Sequence, residues 1–286
     1  MPELPEVETI RRDLAPLVSG RTIVRVDVDQ ATLPLLAGPA VDIEALRSSL
    51  SGRAVSTLDR RGKYLLFRLD DGRTLVAHLR MTGRLVWRCP ADPPEPYQRA
   101  VLGFDDGHEL RWCDLRKFGT WKLVDDDEEL ATKLGPEPME GEFALAAFRR
   151  SLQGRKAAIK SVLLDQKSVA GLGNIYVDEA LFRARIRPDT PAGELAEGPI
   201  KRLFAAVREV LEQGIQHRGA SFRDYVDGQG HTGEQHMHVQ VFRRTGKPCY
   251  VCTTPIERII VGQRSTHYCP RCQKSGRRRR GGTSAR

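Results

Sequence analysis

Residues 63–81 read KYLLFRLDDGRTLVAHLRM. Two strand-like apolar runs flank DDGR, a turn signal that folds them back on each other as an antiparallel hairpin. The same pattern recurs on both sides of this stretch. AVLGFDDGHELRWCD (100–114) turns at DDGH, and TIVRVDVD (22–29), AVSTLDR (54–60), RLVWR (84–88) and TWKLV (120–124) are further short runs of strand character. Ahead of them, Val7, Ile10, Leu14 and Leu17 recur at helical spacing. Glu6 and Glu8 come early in that run and Arg11 and Arg12 later, as the helix dipole favours. Residues 1–133 are therefore expected to form a mainly β domain that begins with a helix.

LGPEPME (134–140) interrupts the pattern with two prolines and a glycine and is read as a linker. Beyond it the periodicity turns helical in FALAAFRRSLQ, AAIKSVLLDQ, IYVDEALFRAR and PIKRLFAAVREVLEQGIQHR, which defines a helical domain over 141–238. That domain ends in SFRDYVDGQGHTGEQHMH, a long polar loop of the kind that more often serves function than framework. A cysteine module follows over 239–274, and 275–286 reads as a basic disordered tail. The architecture expected is α+β and multidomain.

The formal net charge of +9 suggests a polyanionic partner, but residues 271–286 alone hold seven basic residues and no acid. Without them the remainder carries only +2, so the placement of individual basic residues must carry the argument. No apolar run has the length of a membrane span, and the acidic start does not resemble a secretory signal. A cytoplasmic protein without membrane contact is expected.

Four of the six cysteines form Cys249-x2-Cys252 and Cys269-x2-Cys272, sixteen residues apart. Each pair can fill two corners of a tetrahedron, which points to one structural Zn2+ rather than to a disulfide framework in a chain of this size. VQVF before the first pair and HYCPRC at the second suggest a small β-hairpin finger with Arg264 near its tip, well placed for a phosphate. GLGN (171–174) reads as a tight turn opening a helix, with unpaired N–H groups suited to an anion. The opening MPELPEVETIRR allows two readings: an ordinary helix start, or a proline whose secondary amine becomes free once Met1 is removed, with the Glu3 carboxyl beside it.

PELPEVETIRR, RGKYLLF, HLRMTGRL, DLRKFGTW, LGPEP, LLDQKSVAGLGNIY and the closing paired CxxC motifs, in this order from residue 2 to about 274, resemble the formamidopyrimidine-DNA glycosylases of bacterial base-excision repair. The resemblance implies an N-terminal β-sandwich with flanking helices, a helix-two-turn-helix domain and a β-hairpin zinc finger, acting as a monomer at the nucleoid. It implies a partner too: double-stranded DNA containing oxidised purines or abasic sites. Pro2 then matches the nucleophile that attacks C1′ of a flipped deoxynucleotide, and an α-amino group is a better free base at neutral pH than a lysine. Glu3 matches the acid that protonates the sugar oxygen. Lys63 matches the lysine that contacts phosphate and serves β-elimination, and Arg264 the finger arginine that assists δ-elimination. Met81, Arg116 and Phe118 match the residues that fill the void left by the flipped nucleotide. Arg155, Lys160 and Asn174 match phosphate contacts, and residues 221–236 match the loop that closes over the extruded purine.

The chain departs from this pattern in PYQRAVLGF (96–104). Family members often carry a histidine pair there, whereas Tyr97 and Arg99 stand at the corresponding positions and retain donors for phosphate. Two rival readings are an endonuclease VIII-like glycosylase for oxidised pyrimidines and a non-catalytic DNA-binding relative. The PELPEVE start with Met81, Arg116 and Phe118 favours purines, and the set Pro2, Glu3, Lys63 and Arg264 favours an enzyme.

Overall fold

The computed structural model describes residues 1–38, 41–141 and 143–274, so the basic tail lies outside the described residues. The chain divides into two compact units that do not follow chain order. The first holds residues 1–143, 166–173 and 211–238, and the second holds 144–165, 174–210 and 239 onward.

The first unit opens with α1 (Leu4–Val18), which buries Leu4, Val7, Ile10, Leu14 and Val18 completely. Each such side chain contributes roughly 1.5–3 kcal/mol by leaving water. Its start is fixed by Pro5 in the first turn and by Glu6, whose carboxylate accepts the Glu3 N–H at 2.7 Å. The chain continues through β1 (Ile23–Val28), α2 (Leu33–Leu36), α3 (Ile43–Leu50), β2 (Val55–Arg61), β3 (Tyr64–Leu69), β4 (Thr74–His78), β5 (Gly83–Arg88), β6 (Gln98–Phe104), β7 (Glu109–Asp114), β8 (Thr120–Val124) and α4 (Glu128–Lys133). The DDGR hairpin forms as read, pairing Tyr64 with His78 and Arg68 with Thr74, and DDGH joins β6 to β7.

Two four-stranded antiparallel sheets result, ordered β1-β6-β7-β5 and β2-β3-β4-β8. Their inner faces share one core, in which Leu65 and Phe67 pack with Leu102, Phe104, Leu110 and Trp112. Trp112 and Trp121 meet edge to face at 5.6 Å. The flanking helix α3 starts at Asp42, whose side chain accepts the N–H groups of Glu44 and Ala45.

The stretch read as a linker is a packed strap. Gly135 N–H donates to Gln166 O at 2.8 Å, and Glu137 is completely buried, bonded to the Gly62 N–H and to Arg60 Nη1 at 2.9 Å. A carboxylate placed there cannot swing free, because leaving it would strand the Arg60 guanidinium inside the fold.

The second unit contains α5 (Leu145–Leu152), α6 (Ile159–Leu164), α7 (Asn174–Arg183), most of α8 (Glu197–Gln216) and the hairpin β9 (Glu257–Val261) and β10 (Arg264–Tyr268). Residues 175–182 of α7 are buried throughout. The Glu179 carboxylate accepts three successive backbone N–H groups, from Gln240, Val241 and Phe242, at 2.8–3.0 Å, and so pins the entry to the finger. Burial nonetheless pushes its pKa up.

Candidate active site, metal centre and nucleic-acid interface

Pro2 and Glu3 are buried at the start of α1, behind a half-exposed Met1. Glu3 and Leu4 meet the segment 171–173. Leu4 N–H donates to Gly171 O at 3.0 Å, and the absence of side chains there is a packing requirement. A Cβ on Gly173 would lie 2.3 Å from Glu3 Cδ, and one on Gly171 would lie 2.6 Å from Leu4 Cδ1. The glycines read as phosphate-cradling therefore make room for the N-terminal segment and its carboxyl. Lys63, only 6% exposed, approaches the same segment by donating from Nζ to Leu172 O at 2.8 Å. Glu3 and Lys63, distant in sequence, thus converge on residues 171–173 within one unit, with buried Pro2 next to Glu3 in the chain.

The turn that carries Lys63 is held from behind. Arg60 donates to Gly62 O at 3.1 Å, to Glu137 and to Glu8 Oε2 at 3.0 Å. Glu8 also accepts from Arg11 and Arg12, and these guanidinium partners, outweighing burial, hold its carboxyl at about 2. Sequence reasoning missed Arg60 and Glu137 because nothing local in LGPEP announces a partner some seventy-five residues earlier.

His78 is buried and edge-on to Tyr64, and its Nδ1 accepts the Arg80 N–H at 2.9 Å. Burial first, then the Arg80 and Lys63 charges, hold its pKa down at about 3, so the imidazole is neutral. It is a histidine of the core.

Met81, Arg116 and Phe118 all lie on the surface of the first unit, at 38% exposure for Met81 and 51% for Phe118. The Arg116 guanidinium lies 4.6 Å over the Phe118 ring. A residue not singled out from sequence, Asp114, joins the two loops. Its buried carboxylate accepts from Thr82 Oγ1 at 2.5 Å, from the Arg116 N–H at 3.2 Å and from the Gly119 N–H at 2.8 Å. Tyr97 is exposed with φ +60, and its carbonyl accepts the Asp114 N–H at 2.9 Å. Arg99 donates from Nε to Asp114 O at 3.2 Å.

In the second unit Arg155 is exposed, whereas Lys160 is completely buried. The Lys160 ammonium pairs with Asp178 Oδ1 at 2.6 Å and donates to Ser265 O at 3.0 Å. It is therefore a brace on the finger strand, and a surface phosphate contact by its side chain is corrected: a charge inside the fold is kept by a buried partner. Asn174 donates to the same Ser265 carbonyl at 2.9 Å. Asp178 Oδ2 accepts the His267 N–H at 2.9 Å, so one edge of β10 is tied to α6 and α7 at residues 265 and 267. Arg264 itself is exposed and follows a two-residue turn in which Gly262 and Gln263 both take positive φ.

Cys249, Cys252, Cys269 and Cys272 bring their four sulfurs within 4.8 Å of one another. Zn–S bonds of about 2.3 Å in a tetrahedron separate the sulfurs by about 3.8 Å. The cluster fits one Zn2+, which serves structure by pinning the hairpin.

The loop 221–236 is tied down at several points. Ser221 Oγ donates to Tyr225 O and accepts the Gly233 N–H, Tyr225 is buried, and Trp87 N–H donates to Gly228 O at 2.9 Å. Arg223, Asp224 and residues 231–232 remain exposed.

The N-terminal domain model of formamidopyrimidine-DNA glycosylase matches residues 1–121, its H2TH domain model residues 134–226, and a zinc finger found in FPG and IleRS residues 246–274. A formamidopyrimidine-DNA glycosylase of Heliobacterium modesticaldum is 47% identical over 281 residues, covering 96% of this chain and all of the relative. One from Symbiobacterium thermophilum is also 47% identical, covering 96% of this chain and 89% of the relative. Among solved structures, Lactococcus lactis Fpg in complex with DNA containing an abasic site superposes with a TM-score of 0.88 at 38% identity, over 96% of this chain and all of that one. MutM in complex with DNA containing carbocyclic 8-oxo-G gives 0.87 at 38% identity, with the same coverage. A buried proline–glutamate start packed on a glycine segment, two stacked sheets and a four-cysteine hairpin occur here in a chain matched almost end to end, and the chain belongs to the formamidopyrimidine-DNA glycosylase family.

Proposed function

We propose that Pro2, freed by removal of Met1, is the nucleophile with which this chain carries out its family's reaction. The enzyme is a bifunctional DNA glycosylase and abasic-site lyase that excises oxidised purines, 8-oxoguanine and formamidopyrimidines, from duplex DNA. The Pro2 nitrogen attacks C1′ of the flipped nucleotide and the base leaves. Glu3, as the carboxylic acid, gives its proton to the sugar ring oxygen, the ring opens, and a Pro2 iminium remains. That cation accepts the electron pair released when C2′ loses a proton, so the 3′ phosphate departs. A second elimination releases the 5′ phosphate, and water then frees the proline. Lys63 holds a phosphate beside the lesion and assists the first elimination, and Arg264 assists the second. Met81, Arg116 and Phe118 fill the vacated stack, while Arg155, Asn174 and Tyr97 offer further donors to the backbone. Zinc holds the finger that carries Arg264 and takes no part in bond making. The partner places the enzyme at the bacterial nucleoid.

The observation that carries this reading is the convergence of Glu3 and Lys63 on residues 171–173 next to buried Pro2. Borohydride reduction tests it. The processed enzyme is expected to become covalently linked to abasic duplex, and an acetylated N-terminus to abolish the link. Glu3→Gln is expected to retain the link to abasic DNA, where no base must leave, and to lose excision of 8-oxoguanine opposite cytosine. Thymine glycol duplexes cleaved faster than 8-oxoguanine duplexes would move the assignment to the pyrimidine branch.

A further inference from the structure

Helix α8 stops in an unusual way. After Gln216 the chain runs through Arg218 at φ +56 and Gly219 at φ +82, two successive left-handed residues. Gly219 N–H closes the helix on Gly214 O at 2.8 Å. Glycine is the residue that ordinarily occupies such positions, because a Cβ is disfavoured there. Position 218 nevertheless carries an arginine, whose side chain bridges two carboxylates.

The Arg218 Nη2 donates to Asp13 Oδ2 at 2.6 Å and also to Asp227 Oδ2, which Nε reaches at 3.1 Å. Asp13 lies on α1, and Asp227 lies within the loop 221–236. Both carboxylates hold that loop on their own account as well. Asp13 accepts the Gly228 N–H at 3.2 Å, and Asp227 Oδ1 accepts the N–H groups of Gln229 and His231 at 3.0 and 2.9 Å. Asp227 is completely buried, and a Cβ on Gly228 would lie 2.9 Å from Asp13 Cβ, so the loop lies directly against the helix. One guanidinium thus joins the end of α8, the nucleophile-bearing helix and the middle of the loop. Against the effect of burial, the hydrogen bonds from Arg218, His231 and Gln229 lower the Asp227 pKa, and the Asp13 and Asp227 carboxylates raise that of Arg218.

We propose that Asp13, Arg218 and Asp227 form a latch that fixes loop 221–236 against α1 in the conformation that covers an extruded purine. Asp13 and Arg218 are then positioning residues for base selection. They govern excision of the oxidised purine and not nicking of an abasic strand, which presents no base to cover. The inference rests on the reading of this loop as the cover of the base.

Arg218→Gly tests the latch without disturbing the helix end, since glycine takes φ +56 without strain. Asp13→Asn is the second variant; it keeps an acceptor for Gly228 N–H and loses the charge. Single-turnover excision of 8-oxoguanine opposite cytosine and nicking of abasic duplex are measured for the parent, these two variants and Arg218→Lys. Each of the two is expected to excise at least tenfold more slowly and to nick within twofold of the parent, with Arg218→Lys recovering part of the excision rate. Variants that excise within twofold of an active parent, or that lose excision and nicking in parallel, overturn the latch alone. A parent that excises no purine overturns the proposed function and the latch with it.

Discussion

A methyl group on residue 173 would stand 2.3 Å from Glu3 Cδ, closer than any non-bonded carbon tolerates. Gly173→Ala must therefore push the Glu3 carboxyl aside. Because about 1 Å of misplacement in a reacting group can cost roughly 100-fold in rate, excision is expected to fall by that order while far-ultraviolet circular dichroism stays unchanged. His78 gives a prediction on stability. In the unfolded chain its imidazole titrates near 6.5, and in the fold it is held at about 3. Between those values the unfolded chain binds a proton that the folded chain does not, so stability falls as pH drops, at about 1.4 kcal/mol per unit. Melting temperatures at pH 7.5 and 5.0 should therefore diverge more in the parent than in His78→Gln. Glu8, held at about 2, adds its own loss only below its ordinary value of 4.5. At this scale the family resemblance pointed to Pro2 and Glu3, which the structure shows buried, with Glu3 beside the glycine segment. The sequence concealed Gly173, whose meaning depends on a neighbour 170 positions away in the chain.

Between α6, α7 and the finger strand β10 lies a buried ion pair that braces the strand, where the resemblance had implied a phosphate contact by Lys160. Lys160 and Asp178 are both inaccessible to solvent, and both reach backbone groups of β10. Lys160→Met leaves the Asp178 charge without its partner and is expected to cost about 3–5 kcal/mol in urea unfolding of the second unit, whereas replacing both residues by apolar ones recovers much of it. A lysine in the run AAIKSVLL looks the same whether it faces water or a carboxylate eighteen residues on, which is why its burial was not legible. The strands were legible because period-two alternation and the two DDG turns are local signals. Asp114 was hidden inside a strand-end motif, yet its carboxylate holds the loops of Met81 and Arg116 together. Asp114→Asn removes the charge that three donors share and is expected to weaken binding to lesion duplex several-fold while thermal stability of the zinc finger is unaffected.

For the molecule as a whole, chain order and spatial order part company: residues 166–173 and 211–238 belong with the β-sheets, not with the helices that surround them in sequence. A contiguous reading into successive domains could not reveal this, since it depends on long-range contacts such as Glu6 with the Ala220 N–H and Leu4 with Gly171. The zinc site has a separable effect at this scale. Chelation, or Cys249→Ser, is expected to abolish tight duplex binding in a filter or fluorescence assay. The near-ultraviolet signal of the Trp112–Trp121 pair, which lies in the first unit, should persist.

The burial of Pro2 behind Met1 bears on when the chain becomes competent. An aminopeptidase must seat the residues on both sides of the bond it cuts, and a closed α1 withholds the second of them. For Pro2 to act as proposed, trimming is expected at the ribosome exit, before folding seals the ring. Protein that escapes with its methionine in place is expected to resist the same peptidase in native buffer and to yield to it in denaturant, which would place the release of the proposed nucleophile during synthesis.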